Sequence, residues 1–414
     1  MHLPRFRFLL SLLFVSTLAV LPSAARADQT ADPGLLQSIQ DQVSQLRGLT
    51  PLGPVDMQQL DHASLRDYLV QTFQNDYLPS ERERDQNELV AFGFIGPTDD
   101  IVQISLDLLT SQVLGIYDTD TKSLFVVNDQ DTFGPAARIT LAHEFTHALQ
   151  DQYFDLDQLA PKHPANNDRA LGARAVLEGD AVMLQSVWAM ANLSHDELTQ
   201  LATTGGGDAL RAAPPIVRTE LLFPYVDGLR FVSQVYQQAG GNYAAVNDLF
   251  RNPPESTAQV LHVDKYRAHV HPVDVDLPDI ATALGPDWRS VGTGVLGELD
   301  TRVLLEQYGN RAVAIRVASG WSGDRWQVLD QNGRMALVFK STWDSDASAQ
   351  AFFDTYAGGL QRRFDWAHVD TQSASHAALS GPEVATDLRV TGRDVLAVIS
   401  FDRPSVEAIL GAMA

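Results

Sequence analysis

Two histidines and a glutamate in one short segment form a pattern that can bind and use a metal ion. His143, Glu144 and His147 form the pattern His-Glu-x-x-His, and positions 140–149 hold no other Asp, Glu, Lys or Arg. On an α-helix, residues four apart lie on one face, so both imidazoles can bind one metal ion. Glu144 is rotated about 100° around the helix, where its carboxylate can take a proton from a water that the metal activates. The motif predicts a zinc (Zn2+) centre.

A zinc ion that activates water needs a third protein ligand and an open fourth position. The candidate is Glu178, in the apolar helical stretch 175–182, because a carboxylate there is costly unless it is paired or bound to metal. Asp180 is the competing ligand, and Arg174 could instead pair with Glu178. Histidine ligands are commonly oriented by outer carboxylates, for which Asp151 and Asp180 are the candidates.

Overall composition narrows the classes of partner and ligand. The 414 residues include 30 Lys and Arg against 52 Asp and Glu, for a formal net charge of −22. Such an acidic chain repels phosphate backbones, which argues against a nucleic-acid partner. There is no cysteine, which excludes disulfides, thiolate zinc sites and a cysteine nucleophile. Any zinc must therefore be held by histidines and carboxylates.

The first 27 residues have the pattern of a secretory signal peptide. Arg5 and Arg7 precede a 14-residue apolar run at 8–21, and Ala25-x-Ala27 fits a signal-peptidase site. A membrane anchor is the alternative interpretation, but a span needs about 20 apolar residues. We expect cleavage after position 27 and a secreted or periplasmic chain without a membrane span. The sequence gives no indication of oligomeric state.

The elements that must position the motif can be predicted from periodicity. Residues 113–117 and 124–127 are β-prone runs around a turn, which predicts a hairpin. A helix is predicted from Pro135 to about 152 and a second at 170–190, so the histidines and Glu178 lie on successive helices. The charged run 81–88 is expected to be a solvated helix face.

The pattern changes after an irregular, proline-containing stretch that ends at Pro286. Helix, two strands, helix, two strands and a final helix follow, which predicts a small α+β domain. The expected organisation is a signal peptide at 1–27, a zincin-like domain at 28–285 and a C-terminal α+β domain at 286–414. The predicted fold class is helix-rich α+β.

The motif and its surroundings resemble the gluzincin class of zinc metallopeptidases. His143, Glu144 and His147 with the downstream Glu178 carry this resemblance. The stretches 117–126, 222–228, 253–262 and 320–326 are also similar to an uncharacterised group of secreted bacterial metallopeptidase-like proteins. The resemblance implies a zincin-like domain in which a strand before the active helix lines the cleft and pairs with extended substrate. Val182 departs from the class, which has Asp at that position.

The resulting functional hypothesis is an exported zinc metallopeptidase that acts on peptides or proteins. Glu144 would be general base and then general acid, without a covalent intermediate. A second electrophile often assists such sites, and His262 is the candidate, with Tyr225 and Tyr266 as competitors; His262 could instead cap a helix. The alternatives are a non-catalytic, zinc-stabilised envelope or binding protein and a non-peptidase metallohydrolase. A closed fourth ligand position would favour the binding protein.

Overall fold

The structure is a computed structural model, and it describes residues 32–112, 114–127, 133–161, 166–203 and 207–413. The predicted signal peptide at 1–27 lies outside these residues. Within the described ranges, no helix combines the length and the apolarity needed to cross a bilayer.

Helices and strands alternate unevenly along the chain. The helices are α1 Pro33–Arg47, α2 His62–Asp76, α3 Pro79–Phe92, α4 Ile101–Gln112, α5 Pro135–Phe154, α6 Leu156–Leu159, α7 Asn167–Asn192, α8 His195–Thr203, α9 Asp208–Ala212, α10 Pro215–Gln238, α11 Tyr243–Arg251, α12 Thr257–Leu261, α13 Val263–Arg267, α14 Ile280–Leu284, α15 Gly297–Glu306, α16 Arg311–Ala318, α17 Asp346–Arg363 and α18 Arg403–Ala412. The strands are β1 Asp56–Leu60, β2 Gly115–Asp118, β3 Ser123–Val127, β4 Trp288–Gly294, β5 Trp321–Gln331, β6 Arg334–Trp343, β7 His368–Gln372, β8 His376–Ser380, β9 Ala385–Thr391 and β10 Asp394–Ser400.

These elements confirm the predicted helix-rich α+β class. The hairpin β2–β3 forms as expected, and β1 adds to β3 in parallel, which gives a three-stranded sheet of order β1-β3-β2. A seven-stranded antiparallel sheet of order β4-β5-β6-β10-β9-β8-β7 occupies the C-terminal part. Periodicity missed β1, β4, β7 and β8. The strands β1, β4 and β7 expose polar residues and lack a clear apolar alternation, whereas β8 is a short run with three buried residues in its centre.

Helix α5 is the centre of one hydrophobic core. Gly134 caps its start, Pro135 occupies the first turn, where proline costs no hydrogen bond, and every residue at 139–151 is buried. A helix that is buried all round needs neighbours on each side. Those neighbours are α1, the strands β2 and β3, and α7.

Helices α7 and α10 cross at unusually short range through two glycines. A Cβ at Gly179 would lie 2.4 Å from the carbonyl oxygen of Gly228, and one at Gly228 would lie 2.4 Å from that of Ala175. Gly179 directly follows Glu178, and Tyr225 lies about one turn before Gly228. The crossing therefore fixes how deeply the side chains of Glu178 and Tyr225 lie in the interior.

We expect Gly179→Ala to destabilise the fold, because a methyl group at this crossing meets backbone that cannot move aside. Overpacking of this kind costs about 1–3 kcal/mol. Gly411→Ala in α18 is the matched control, since nothing lies within 4 Å of its added Cβ. The control should be neutral or slightly stabilising. Thermal or urea unfolding measures both, and equal stabilities would contradict the packing argument.

Candidate metal centre

Helices α5 and α7 bring three predicted ligands together. The Nε2 atoms of His143 and His147 are 3.0 Å apart, and they lie 3.2 and 3.4 Å from Oε2 of Glu178. Ligand atoms around tetrahedral zinc are separated by about 3.3 Å, since each lies about 2.0–2.1 Å from the ion. Among the described residues, these three form the one group of His, Cys, Asp or Glu compact enough to hold a metal ion. The donor set and its spacing fit zinc.

The cluster is fully enclosed by protein. His143 is 1% exposed, His147 2% and Glu178 0%, and neither oxygen of Glu178 has a hydrogen-bond partner among the described residues. Burial alone would raise the pKa of Glu178, but the two imidazoles reverse this and hold it below its usual value. Burial also disfavours protonated His147, yet Glu178 outweighs it and raises the pKa of His147 to about 9. A proton and a metal ion therefore compete for the same Nε2 atom.

Two glutamines orient the histidine rings, in place of the expected carboxylates. The Oε1 atom of Gln185 lies 2.8 Å from Nδ1 of His143, and Oε1 of Gln150 lies 2.8 Å from Nδ1 of His147. Both Nε2 atoms are thereby directed at Glu178. Gln185 follows Glu178 by two helical turns, so helical spacing was the one sequence signal that could have found it.

The two carboxylates considered for this role have other partners. Asp151 accepts hydrogen bonds from the Tyr117 hydroxyl at 2.9 Å and from Lys122 Nζ at 2.6 Å, which ties α5 to the β2–β3 hairpin. Asp180 accepts hydrogen bonds from Arg47 and Gln150, and it does not belong to the group of His143, His147 and Glu178. The structure therefore places Glu178, and not Asp180, beside the histidines.

Glu144 lies on α5 against strand β2. Its carboxylate accepts the backbone N–H of Tyr117, and burial raises its pKa. Gly115 allows the strand to approach this closely, because a Cβ there would lie 2.5 Å from Thr140 Cγ2 and 3.2 Å from Glu144 Cγ. In the sheet β2 pairs with β3 on one side and stands at the edge. The acidic side chain thus lies between the metal-ligand helix and an edge strand.

The three candidates for a second electrophile occupy different surroundings. The Tyr225 ring stacks on the His143 ring, with centroids 6.3 Å apart and an interplanar angle of 21°. His262 joins α12 to α13, and its Nε2 lies 2.6 Å from Oε1 of Glu298. The Tyr266 hydroxyl donates to the carbonyl of Asn252. Of the three, Tyr225 is the one that contacts a metal-ligand ring.

The charged run 81–88 forms part of the wall of a pocket. Side chains of α3, α4, α7 and α10 line the pocket, among them Glu88, Arg174 and Glu220. The expected solvated face at 81–88 is wrong, since α3 buries three of its acids against the rest of the chain. Arg174 lies one helical turn before Glu178, and Pro224 directly precedes Tyr225. The residues that line the pocket include none of His143, His147 and Glu178.

Comparison with known proteins covers a different part of the chain. A family model described as "Domain of unknown function (DUF8575)" matches residues 286–410. No curated protein and no solved structure matches. The matched region contains the seven-stranded sheet and lies outside the segment that holds His143, His147 and Glu178.

We expect the purified chain to bind one zinc ion and Glu178→Ala to lose it. The affinity should fall by more than the roughly 100-fold that loss of an outer-shell partner costs. Glu298→Ala is the matched control, because it also removes a buried glutamate paired with a histidine. Metal analysis after dialysis against a weak chelator compares the variants. Zinc retained by Glu178→Ala would contradict this ligand set.

Proposed function

We propose that this protein is an exported, zinc-dependent metallopeptidase of gluzincin type that hydrolyses peptide bonds in peptides or proteins. The observation that carries the proposal is the compact group of His143, His147 and Glu178, with Glu144 on the same helix as the histidines. Three protein ligands with an adjacent carboxylate are typical of catalytic zinc sites. The zincin-like fold and the signal peptide at 1–27 belong to this proposal.

The proposed mechanism assigns one task to each part of the site. Zinc, when bound, polarises a carbonyl and lowers the pKa of water to near neutrality. Glu144 takes the proton of the attacking water and returns it to the leaving amine. Its place in the interior limits its exchange with bulk water, so the proton is held at the carboxylate between the two steps.

Strand β2 gives the proposal a way to orient substrate. An extended peptide can add to the edge of a sheet through main-chain hydrogen bonds. Strand β2 stands at such an edge and lies against Glu144 through Gly115. A peptide added there would run past the general base, which supports a peptidase over a hydrolase for small substrates.

A non-catalytic, zinc-stabilised binding protein is the second candidate, and the enclosure of the cluster favours it. All three ligands are almost without solvent exposure. Against it, the described residues offer three ligands and no fourth His, Cys, Asp or Glu to close the site. Glu144 also has no evident structural need to be acidic, since its Oε2 has no hydrogen-bond partner in the described part of the chain.

We expect Glu144→Gln to keep zinc but to lose about 10²–10⁴-fold of the hydrolytic rate, because the amide cannot take a proton. Digestion of casein and of a peptide library, with metal analysis of the same samples, measures both properties. Full activity in this variant would contradict the mechanism. A wild-type chain that carries zinc but cleaves neither substrate would favour the binding protein.

Tyr225→Phe and His262→Ala separate the two leading candidates for the second electrophile. Tyr225→Phe keeps the ring that stacks on His143 and removes only the hydroxyl. If that hydroxyl stabilises the oxyanion, kcat should fall about 10²-fold or more with KM nearly unchanged. His262→Ala should then retain kcat and zinc. The reverse pattern, measured on the best library peptide, would return the role to His262.

A further inference from the structure

A buried chain of polar side chains leads from the first helix to one metal ligand. Arg47, the last residue of α1, donates from Nε to Oδ2 of Asp180 at 3.0 Å. The same oxygen accepts from Nε2 of Gln150 at 2.9 Å, and Oε1 of Gln150 lies 2.8 Å from Nδ1 of His147. We propose that Arg47 and Asp180 are positioning residues that set the tautomer of His147 through Gln150 and thereby determine its affinity for zinc. This inference rests on the zinc site of the proposed function.

Gln150 has one orientation that satisfies its neighbours. Its amide nitrogen donates to Asp180 and, at 3.1 Å, to the carbonyl of Leu177. A flipped amide would face both acceptors with an oxygen and would lose two buried hydrogen bonds. The carbonyl oxygen is therefore left for His147, whose Nδ1 must carry the hydrogen. That tautomer presents the Nε2 lone pair to a metal ion.

Arg47 makes a charged acceptor possible at this depth. The side chains of Arg47 and Asp180 are both 0% exposed, and an isolated carboxylate there would be strongly disfavoured. The guanidinium also lies over the Tyr243 ring, with 4.6 Å between Cζ and the ring centroid. Since Arg47 belongs to α1, packing of the first helix is coupled to the state of a ligand on α5.

The second histidine supplies an internal reference. The Nδ1 atom of His143 faces Gln185. Within the described part of the chain, the hydrogen bonds of Asp180 go to Arg47 and Gln150 and do not include Gln185. A change at Asp180 should therefore alter His147 and leave His143 as it is. A general loosening of the core would alter both rings.

The test compares two double variants of the chain that both remove the buried charges. Arg47→Met/Asp180→Asn keeps an acceptor oxygen for Gln150, whereas Arg47→Met/Asp180→Leu does not. We expect zinc affinity, from competition with a chromophoric chelator, to stay within a few-fold of wild type in the first and to fall about 10–100-fold in the second. Asp324→Asn is a control, since it alters another buried carboxylate. That carboxylate accepts hydrogen bonds from the backbone of Leu296 and Gly297 and from the indole of Trp321.

A spectroscopic measurement separates positioning from stability. Histidine-selective 15N spectra of the zinc-free chains at pH 11, well above the pKa of about 9 of His147, report the tautomer of each ring. We expect His147 to lose its Nδ1–H tautomer in the Leu variant and in Gln150→Met, which leaves the charged pair intact, while His143 is unchanged. This measurement needs no metal. A wild type that binds no zinc would therefore overturn the proposed function, while the proposed effect of Arg47 and Asp180 on His147 would still be tested. Unchanged His147 signals in folded Arg47→Met/Asp180→Leu and Gln150→Met variants would overturn that effect.

Discussion

A carboxylate buried between two imidazole rings sets the conditions that the surrounding structure has to meet. Glu178 has no exposed surface, and neither of its oxygens has a hydrogen-bond partner in the described part of the chain. Its Oε2 faces the Nε2 atoms of His143 and His147. Such a group persists in a core only when its charge is compensated. The middle turns of α5 and α7 are buried on all sides and hold the three residues at ligand spacing, and the glycine crossing of α7 with α10 closes the interior over them.

The groups around this cluster follow from the same constraint. In the proposed zinc site, each imidazole would need a fixed acceptor at Nδ1 so that Nε2 is free for the metal, and neutral amides lie at both Nδ1 atoms. A neutral amide adds no further charge beside Glu178 and Glu144, whereas a carboxylate would add repulsion in a region of low dielectric. The nearby carboxylate of Asp180 forms an ion pair with Arg47 of α1.

The C-terminal part is anchored to the helix that carries Glu178. Asp168, in the first turn of α7, accepts the backbone N–H of Thr257, and a Cβ at Gly297 would collide with its carboxylate. Burial raises the pKa of Asp168 to about 7. The segment matched by the family of unknown function is therefore packed against α7 at the end opposite to its exposed C-terminal turn, and its α15 shares a core with α7 and α10.

Features that depend on neighbours along one helix or hairpin could be predicted from the sequence. The spacing of His143 and His147, the choice of Glu178 as a buried carboxylate, the β2–β3 hairpin and both ligand helices all follow from local periodicity. Contacts between distant segments depend on tertiary packing: Gln185 lies at His143, Arg47 at Asp180, and Tyr225 rather than His262 beside the His143 ring. The burial of the acids at 81–88 depends on it as well. Helical spacing fixes a residue's face, but the partner of that face depends on how the helices pack, which a single sequence does not encode in any local pattern.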